Sequence, residues 1–308
     1  MRYIFGPVPS RRLGLSLGLD VIPLKTCTLN CIYCEVGRTT RQTLTRDEYV
    51  SSEDVLNELK EFLQRDIKID WITFSGSGEP TLNSSIGEMI ENIKSMTNIP
   101  VCVITNGTLL WDQQVRLDIL KADAVMPSLD SAREHTFQIL CRPHPDLHIN
   151  NIIEGLVRFR KEYQGKIWLE ILFVKGVNDS REELEALRDA IQRIKPDAIH
   201  LNTVVRPPAE FTANPLSREE LEKILDFFGE KAEIIASFKS ISTKSPHIGI
   251  DDIREYLKRR PGSVDDISSA LGIEKHEVEK ILEHLNKSGE ITLKEFFGKR
   301  FWEYVRAS

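Results

Sequence analysis

Short apolar runs alternate with amphipathic stretches along most of the chain. Asp70-Trp71-Ile72-Thr73-Phe74 reads as a buried strand, and Val101-Cys102-Val103-Ile104-Thr105 is a second, ended by Asn106-Gly107. Ala124-Val125-Met126 leads into Pro127-Ser128-Leu129-Asp130, and Ile167 to Val174 is a longer run ending at Lys175-Gly176. Ile199 to Val205 is the last clear strand, stopped by Arg206-Pro207-Pro208. With Leu17-Gly18-Leu19-Asp20-Val21-Ile22 near the start, the pattern predicts six strands. The intervening helices have plausible starts: Ser51-x-x-Asp54, Ser180-x-x-Glu183 and Ser217-x-x-Glu220 each fit a capping box before an apolar-periodic run. Buried strands alternating with amphipathic helices predict an α/β fold with a parallel sheet.

After Lys244-Ser245-Pro246-His247-Ile248-Gly249 the pattern changes. Ile250 to Lys258 is one short helix, and Ser263-x-x-Asp266 caps another that carries Ile267, Ala270 and Leu271 and stops at Gly272. Glu274 to Lys287 sets Val278, Ile281, Leu282 and Leu285 at helical spacing. Ile291-Thr292-Leu293 and Arg300 to Tyr304 then read as a hairpin around Gly298-Lys299. Three helices and a hairpin resemble a winged helix. The division is therefore a main domain over 1–240, a linker over 241–249 and a winged-helix-like domain over 250–308. Such modules often bind DNA through the third helix. Here that helix carries Glu274, Glu277, Glu279 and Glu283 against Lys275, Lys280 and Lys287, so facing phosphates it would be repelled. Protein docking or substrate presentation is favoured, with RNA contact through Lys294, Lys299 and Arg300 as the alternative and DNA unlikely.

Composition narrows the classes. The 308 residues carry a formal net charge of −6, which excludes a polyanion binder that relies on bulk charge. No apolar run approaches the ~20 residues a spanning helix needs, so no membrane role is expected. The start, Met1 to Pro7, breaks too soon at Pro7 and Pro9 for a signal peptide. Five cysteines make no secreted disulfide framework, and a cytoplasmic location with reduced thiols is expected.

Cys27, Cys31 and Cys34 lie on one short segment, Cys27-Thr28-Leu29-Asn30-Cys31-Ile32-Tyr33-Cys34, whereas Cys102 and Cys141 are isolated. A structural zinc site takes four ligands, usually as two pairs, and an ordinary iron–sulfur cluster takes four cysteines. Three thiolates imply a four-iron cluster with one open iron. Cys-x3-Cys-x2-Cys with Tyr33 before the last cysteine resembles the cluster motif of the radical S-adenosylmethionine superfamily. Ser75-Gly76-Ser77-Gly78-Glu79-Pro80, directly after the second strand, is similar to that family's Gly-Glu-Pro segment.

The resemblance implies an open (βα)6 partial TIM-type barrel. It implies that Cys27, Cys31 and Cys34 hold a [4Fe-4S] cluster and that S-adenosyl-L-methionine chelates the open iron. Gly78, Glu79 and Pro80 would then bind the methionine amino group, Tyr33 would pack beside the adenine, and Ser128 and Asp130 would take the ribose or carboxylate. Parallel barrels place chemistry at the carboxyl ends of strands. Asn106 is a candidate there, or else the turn residue that Gly107 suggests. Glu170, which interrupts an apolar strand, is either a cofactor or substrate contact or a solvated strand edge. Asn202 and Lys175 are further candidates. Cys102 reads as a core residue, and Cys141 as a loop residue outside the ligand set, with a thiol role at the substrate as the alternative. His144 and His148 read as solvated.

The implied reaction is reductive cleavage of S-adenosylmethionine to a 5′-deoxyadenosyl radical that abstracts hydrogen from a substrate, RNA (such as tRNA) or a peptide or protein. The electron would come from a low-potential donor such as flavodoxin or ferredoxin, and the enzyme would be oxygen-sensitive. The leader Gly6-Pro7-Val8-Pro9-Ser10-Arg11-Arg12-Leu13-Gly14 reads as a proline-stiffened arm. It resembles that of the branch related to archaeal tRNA wyosine synthase, whose second-cluster cysteines this chain lacks. Arg11 and Arg12 are candidates to hold a phosphate or carboxylate. The rival readings are an iron–sulfur sensor joined to a nucleic-acid-binding winged helix and a simple electron carrier.

Overall fold

The computed structural model describes residues 2–10, 12–236 and 249–305. Arg11 and most of the expected linker lie outside the described residues. A hairpin opens the fold, β1 (Ile4–Ser10) running antiparallel to β2 (Gly14–Leu19). The two-residue strands β3 (Thr26–Cys27) and β4 (Arg41–Gln42) close the cysteine loop. There follow α1 (Ser52–Phe62), β5 (Trp71–Phe74), a 3-10 turn over Pro80–Leu82, α2 (Ile86–Met96), β6 (Val101–Thr105), α3 (Gln113–Asp118), β7 (Ala124–Pro127), α4 (Glu134–Leu140) and α5 (Ile149–Glu162). The main domain ends with β8 (Lys166–Phe173), α6 (Arg181–Ile194), β9 (Ala198–Thr203), α7 (Arg218–Phe228) and β10 (Ala232–Ile234).

One sheet takes the order β1-β2-β5-β6-β7-β8-β9-β10, and every pair after the hairpin is parallel. The count differs from the six strands expected. β10 adds a seventh parallel strand; it is three residues long with no fully buried side chain, too short and too polar for a periodicity signal. The leader is not a free arm but strand β1, its prolines tolerated because β1 is the sheet's edge. β1 and β10 are the two ends of the order, so among the described residues the sheet does not close on itself.

β8 shows how the layers arise. Ile167, Leu169, Ile171 and Phe173 are fully buried, whereas Trp168, Glu170 and Leu172, pointing the other way, keep partial access to solvent. Of the three expected capping boxes, only Ser217 with Glu220 makes both halves. Ser51 and Ser180 cap their helices with the hydroxyl alone. Glu183 is drawn away because its buried carboxylate accepts hydrogen bonds from Ser131 and Thr136 and faces Arg133.

The C-terminal pattern holds: α8 (Ile250–Arg259), α9 (Val264–Leu271), α10 (Lys275–Lys287) and the hairpin β11 (Ile291–Phe296) and β12 (Lys299–Tyr304). Ile253, Leu257, Ile267, Val278, Leu282 and Leu285 make a small separate core. Phe296 and Phe301 of the hairpin belong instead to the main core, so one face of the hairpin packs on the sheet domain. Lys294 pairs with Glu303 and lies over the Phe211 ring, leaving Lys299 and Arg300 as the exposed cations of the expected RNA surface. No helix among the described residues is long and apolar enough to cross a membrane.

Candidate active site

The cysteine loop is fixed by backbone hydrogen bonds. Asn30 and Ile32 donate their N–H groups to the carbonyls of Cys141 and Leu140, each at 3.0 Å, and Glu210 N–H donates to Ile32 at 2.9 Å. Asn30 Oδ1 accepts from Thr39 N–H at 2.9 Å, closing the loop on itself. The Glu210 carboxylate takes Arg38 at 2.7 Å and Arg142 at 2.9 Å, tying three distant segments around the loop. Cys27, Cys31 and Cys34 are all half-buried on this loop. Burial, and then the Glu79 charge, pushes the Cys27 thiol up; burial, and then Cys31, pushes Cys34 up to about 12. Thiols in such surroundings are held as thiolates by a bound metal. Among the described residues no three acidic, His or Cys side chains converge on a point as a single ion requires.

The turn after β5 packs directly on this loop. Ser75 N–H donates to Leu19 at 3.1 Å, Lys25 N–H to Ser77 at 2.7 Å and Glu79 N–H to Thr26 at 3.2 Å. A Cβ at Gly78 would stand 2.0 Å from the Thr26 carbonyl oxygen, so only glycine allows the approach. Asp20 accepts from Ser77 N–H at 3.1 Å and Ser77 Oγ at 2.5 Å, and its carboxylate occupies the space where Gly76, at φ +130°, would carry a Cβ.

The Glu79 side chain turns inward. Oε1 accepts from Thr81 N–H at 3.0 Å, Thr81 Oγ1 at 2.6 Å and Thr105 Oγ1 at 2.6 Å, and Oε2 from Asn106 N–H at 2.7 Å. Burial raises its carboxyl above the usual carboxylate range. Glu79 therefore braces the turn, and it is the backbone of 75–78 that faces the cysteine loop. Pro80 opens the buried 3-10 turn.

Other expected residues gather here. Asn106 makes the turn and also reaches the cysteine loop: its Nδ2 donates to Thr28 Oγ1 at 2.8 Å and lies 3.5 Å from Cys27 Sγ, while Oδ1 accepts from Thr108 N–H at 3.0 Å and Gly107 turns the chain at φ +73°. The Tyr33 hydroxyl donates to Asp130, whose other oxygen accepts from Leu172 N–H at 2.8 Å. Burial pushes Asp130 up to about 7. Ser128 lines a small cavity with Leu29, Tyr33, Asn106 and Cys141. Glu170 is no solvated edge: it pairs with Arg12 and accepts from Asn202 Nδ2 at 3.0 Å.

Some expectations fail. Lys175 is exposed and pairs with Glu220 at 2.7 Å, away from this site. Cys141 is not in a loop before its helix but caps the end of α4, buried, its carbonyl accepting from Asn30 N–H beside the cysteine loop. Cys102 sits in a core patch with Leu13, Ala124 and Met126, as expected. His148 is exposed and His144 partly so. Sequence reasoning missed Asp20, Ser77 and Glu210. Asp20 and Ser77 stand at the carboxyl ends of parallel strands, the level that should have drawn attention to them.

Comparison with known proteins agrees with this geometry. The model of the radical SAM superfamily matches residues 21–191, and that of the TBPIP/Hop2 winged helix domain matches 251–302. The chain is 40% identical over 292 residues to a Brachyspira hyodysenteriae protein named GTPase Obg; the match covers 94% of this chain but only 43% of that one. It is 38% identical over 232 residues to a UPF0026 protein of Methanocaldococcus jannaschii, covering 75% of this chain and 72% of the relative. Among solved structures, TYW1 with a lysine–pyruvate adduct bound shares the fold, with a TM-score of 0.53, 18% identity and coverage of 70% of this chain and 74% of that one. A three-cysteine loop packed on a glycine turn at the end of a parallel sheet, under a family model spanning more than half of the residues, leads to one conclusion: the chain belongs to the radical S-adenosylmethionine superfamily.

Proposed function

We propose that Cys27, Cys31 and Cys34 hold three irons of a [4Fe–4S] cluster whose fourth iron takes S-adenosylmethionine, and that the protein is an enzyme using them on an RNA, peptide or protein substrate. The observation that carries this reading is three half-buried thiols on a single loop, closed by β3 and β4, against a turn that only glycine permits at residue 78. When bound, the cluster and S-adenosylmethionine supply a low-potential electron and a 5′-deoxyadenosyl radical that takes hydrogen from substrate. The chain's own residues do the rest. Gly76 and Gly78 leave backbone room beside the cluster loop, Glu79 fixes that turn from behind, and Asn106 orients the loop at Cys27. Tyr33 and Asp130 close the cavity beside Ser128, and Arg12, Glu170 and Asn202 form a polar patch on the inner side of the sheet. The open order of the sheet supports a partial barrel, and the two separate cores support the division near residues 240 and 250.

The β1 leader favours the branch related to archaeal tRNA wyosine synthase, though the second-cluster cysteines of that branch are missing from this sequence. Flavodoxin or ferredoxin is the proposed electron donor. The mixed charge of α10 favours a protein or peptide over nucleic acid at the C-terminal module. Anaerobic reconstitution with iron, sulfide, dithionite and S-adenosylmethionine tests the reading. 5′-Deoxyadenosine should form well above a Cys31→Ala control; none above that control would overturn the proposal in favour of an iron–sulfur sensor. Binding of bulk tRNA titrated against salt decides the substrate class, since several phosphate contacts predict a log–log slope of about −0.7 to −0.9 per contact.

A further inference from the structure

The C-terminal helix α8 ends in two consecutive arginines that reach two different loops of the candidate site. Arg259 Nε stands 3.6 Å from Asp20 Oδ2, an ion-pair distance, and its guanidinium lies 5.1 Å from the Phe5 ring centroid. Asp20 is the residue that holds Ser77 by its N–H and its hydroxyl and fills the space beside Gly76. Phe5 in turn packs so tightly on β2 that a Cβ at Gly18 would meet its ring at 2.1 Å. Arg260 lies 4.0 Å from Glu35, the residue directly after Cys34. Glu35 also takes Arg206 at 2.9 Å, and Arg206 reaches Asp266 of α9 at 3.7 Å.

Two adjacent residues of the small module thus act on the glycine turn through Asp20 and on the cluster loop through Glu35. The Arg259–Asp20 contact is largely buried, its side chains 13% and 11% exposed, and the Arg260–Glu35 contact is more open, at 30% and 39%. Val8 of β1 packs into the small module's core, so the module is seated on the edge hairpin rather than tethered at a distance.

We propose that Arg259 and Arg260 are positioning residues: Arg259 fixes the 75–78 turn through Asp20, Arg260 fixes the cluster loop through Glu35, and capture of S-adenosylmethionine requires the C-terminal module to be seated. This rests on the reading of 75–78 as the cofactor turn. The first test needs no cofactor. In amide hydrogen exchange on the full, cluster-free chain, Arg259→Gln should speed exchange within 75–79 about tenfold and Arg260→Gln within 34–37, with α10 and β6–β9 unchanged. Lys275→Gln, at the exposed Lys275–Asp265 pair, should change neither loop.

On the reconstituted protein, Arg259→Gln should raise the half-saturating S-adenosylmethionine concentration about two- to thirtyfold, leave 5′-deoxyadenosine formation at saturation nearly intact, and be largely rescued by Arg259→Lys. Wild-type exchange at both loops, or faster exchange spread through α10 and the sheet, would overturn the proposal, the second result marking a merely structural role. Should the loops respond while the wild-type protein forms no 5′-deoxyadenosine, the proposed function fails and the mechanical coupling stands.

Discussion

The glycine turn over 75–80 and the C-terminal module use the same residue types in opposite settings. At the turn, one carboxylate, that of Glu79, is buried and accepts four hydrogen bonds from three residues. In the module, carboxylates meet lysines in the open, as in Lys275–Asp265 with both side chains more than half exposed. A buried acceptor cannot be removed without stranding its donors, whereas an exposed pair exchanges each partner for water at little cost. Charge near the site is thus structural where water is excluded and nearly neutral energetically where it is not. The hydrophobic cores differ in the same sense: the main one runs under the whole sheet, while the small one rests on eleven buried side chains from three short helices, the turn before α10 and a strand.

The contrast can be broken or sharpened by substitution. Glu79→Ala should have the largest effect, about 4 kcal/mol from the donors of Thr81, Thr105 and Asn106 left unpaired, read as a lower denaturant midpoint and poor iron uptake. A loss under about 1 kcal/mol would show that the turn is as yielding as the surface. Leu282→Ala, at a residue 1% exposed, should cost about 3 kcal/mol, but only in the small core: exchange in α10 should rise while β5 to β9 stay protected. Uniform loss of protection would mean that the two cores unfold as one.

Gly78→Ala should cost about 2 kcal/mol, because the new methyl group meets the Thr26 carbonyl; thermal unfolding and iron content report it together.

Asp130 supplies a pH test. In the fold its carboxyl holds a proton up to about 7, whereas the unfolded value is 3.8. The folded state therefore binds more protons between these values, and its stability falls as pH rises from about 4 to about 7, by at most about 1.4 kcal/mol per unit. Asp130→Asn should remove that part of the slope; an unchanged slope would assign it to other groups. Smallest of all, Lys294→Ala at the Lys294–Glu303 pair should change stability by less than about 1 kcal/mol and weaken no tRNA binding if the substrate is a peptide.

Much of this architecture is legible along the chain. The runs that became β5 to β9 carry their own apolar signature, and the Cys-x3-Cys-x2-Cys and Gly-Glu-Pro segments mark the two loops. Ser263 with Asp266 announces α9 by a box that forms in full. What escaped detection has a common cause. β1 carries prolines and β10 has only three residues, so neither shows a period. Cys141 looked remote because it lies far along the chain from Cys31, yet the end of α4 lays it against the cysteine loop. Arg12 and Glu170 are 158 positions apart, and no local pattern pairs them.

By itself the sequence determined the chemistry available: three thiols within one short segment, a glycine turn, parallel strands whose ends carry polar side chains, and a second small helical unit. Those features depend on a few neighbouring residues, and steric and periodic rules act at that range. The tertiary structure alone decided which polar groups face the loops and which turn away, as Glu79 turns inward, Lys175 outward and Arg259 across to Asp20. Burial and pairing are properties of the packed whole, and a carboxylate acquires its role only when the fold chooses what surrounds it.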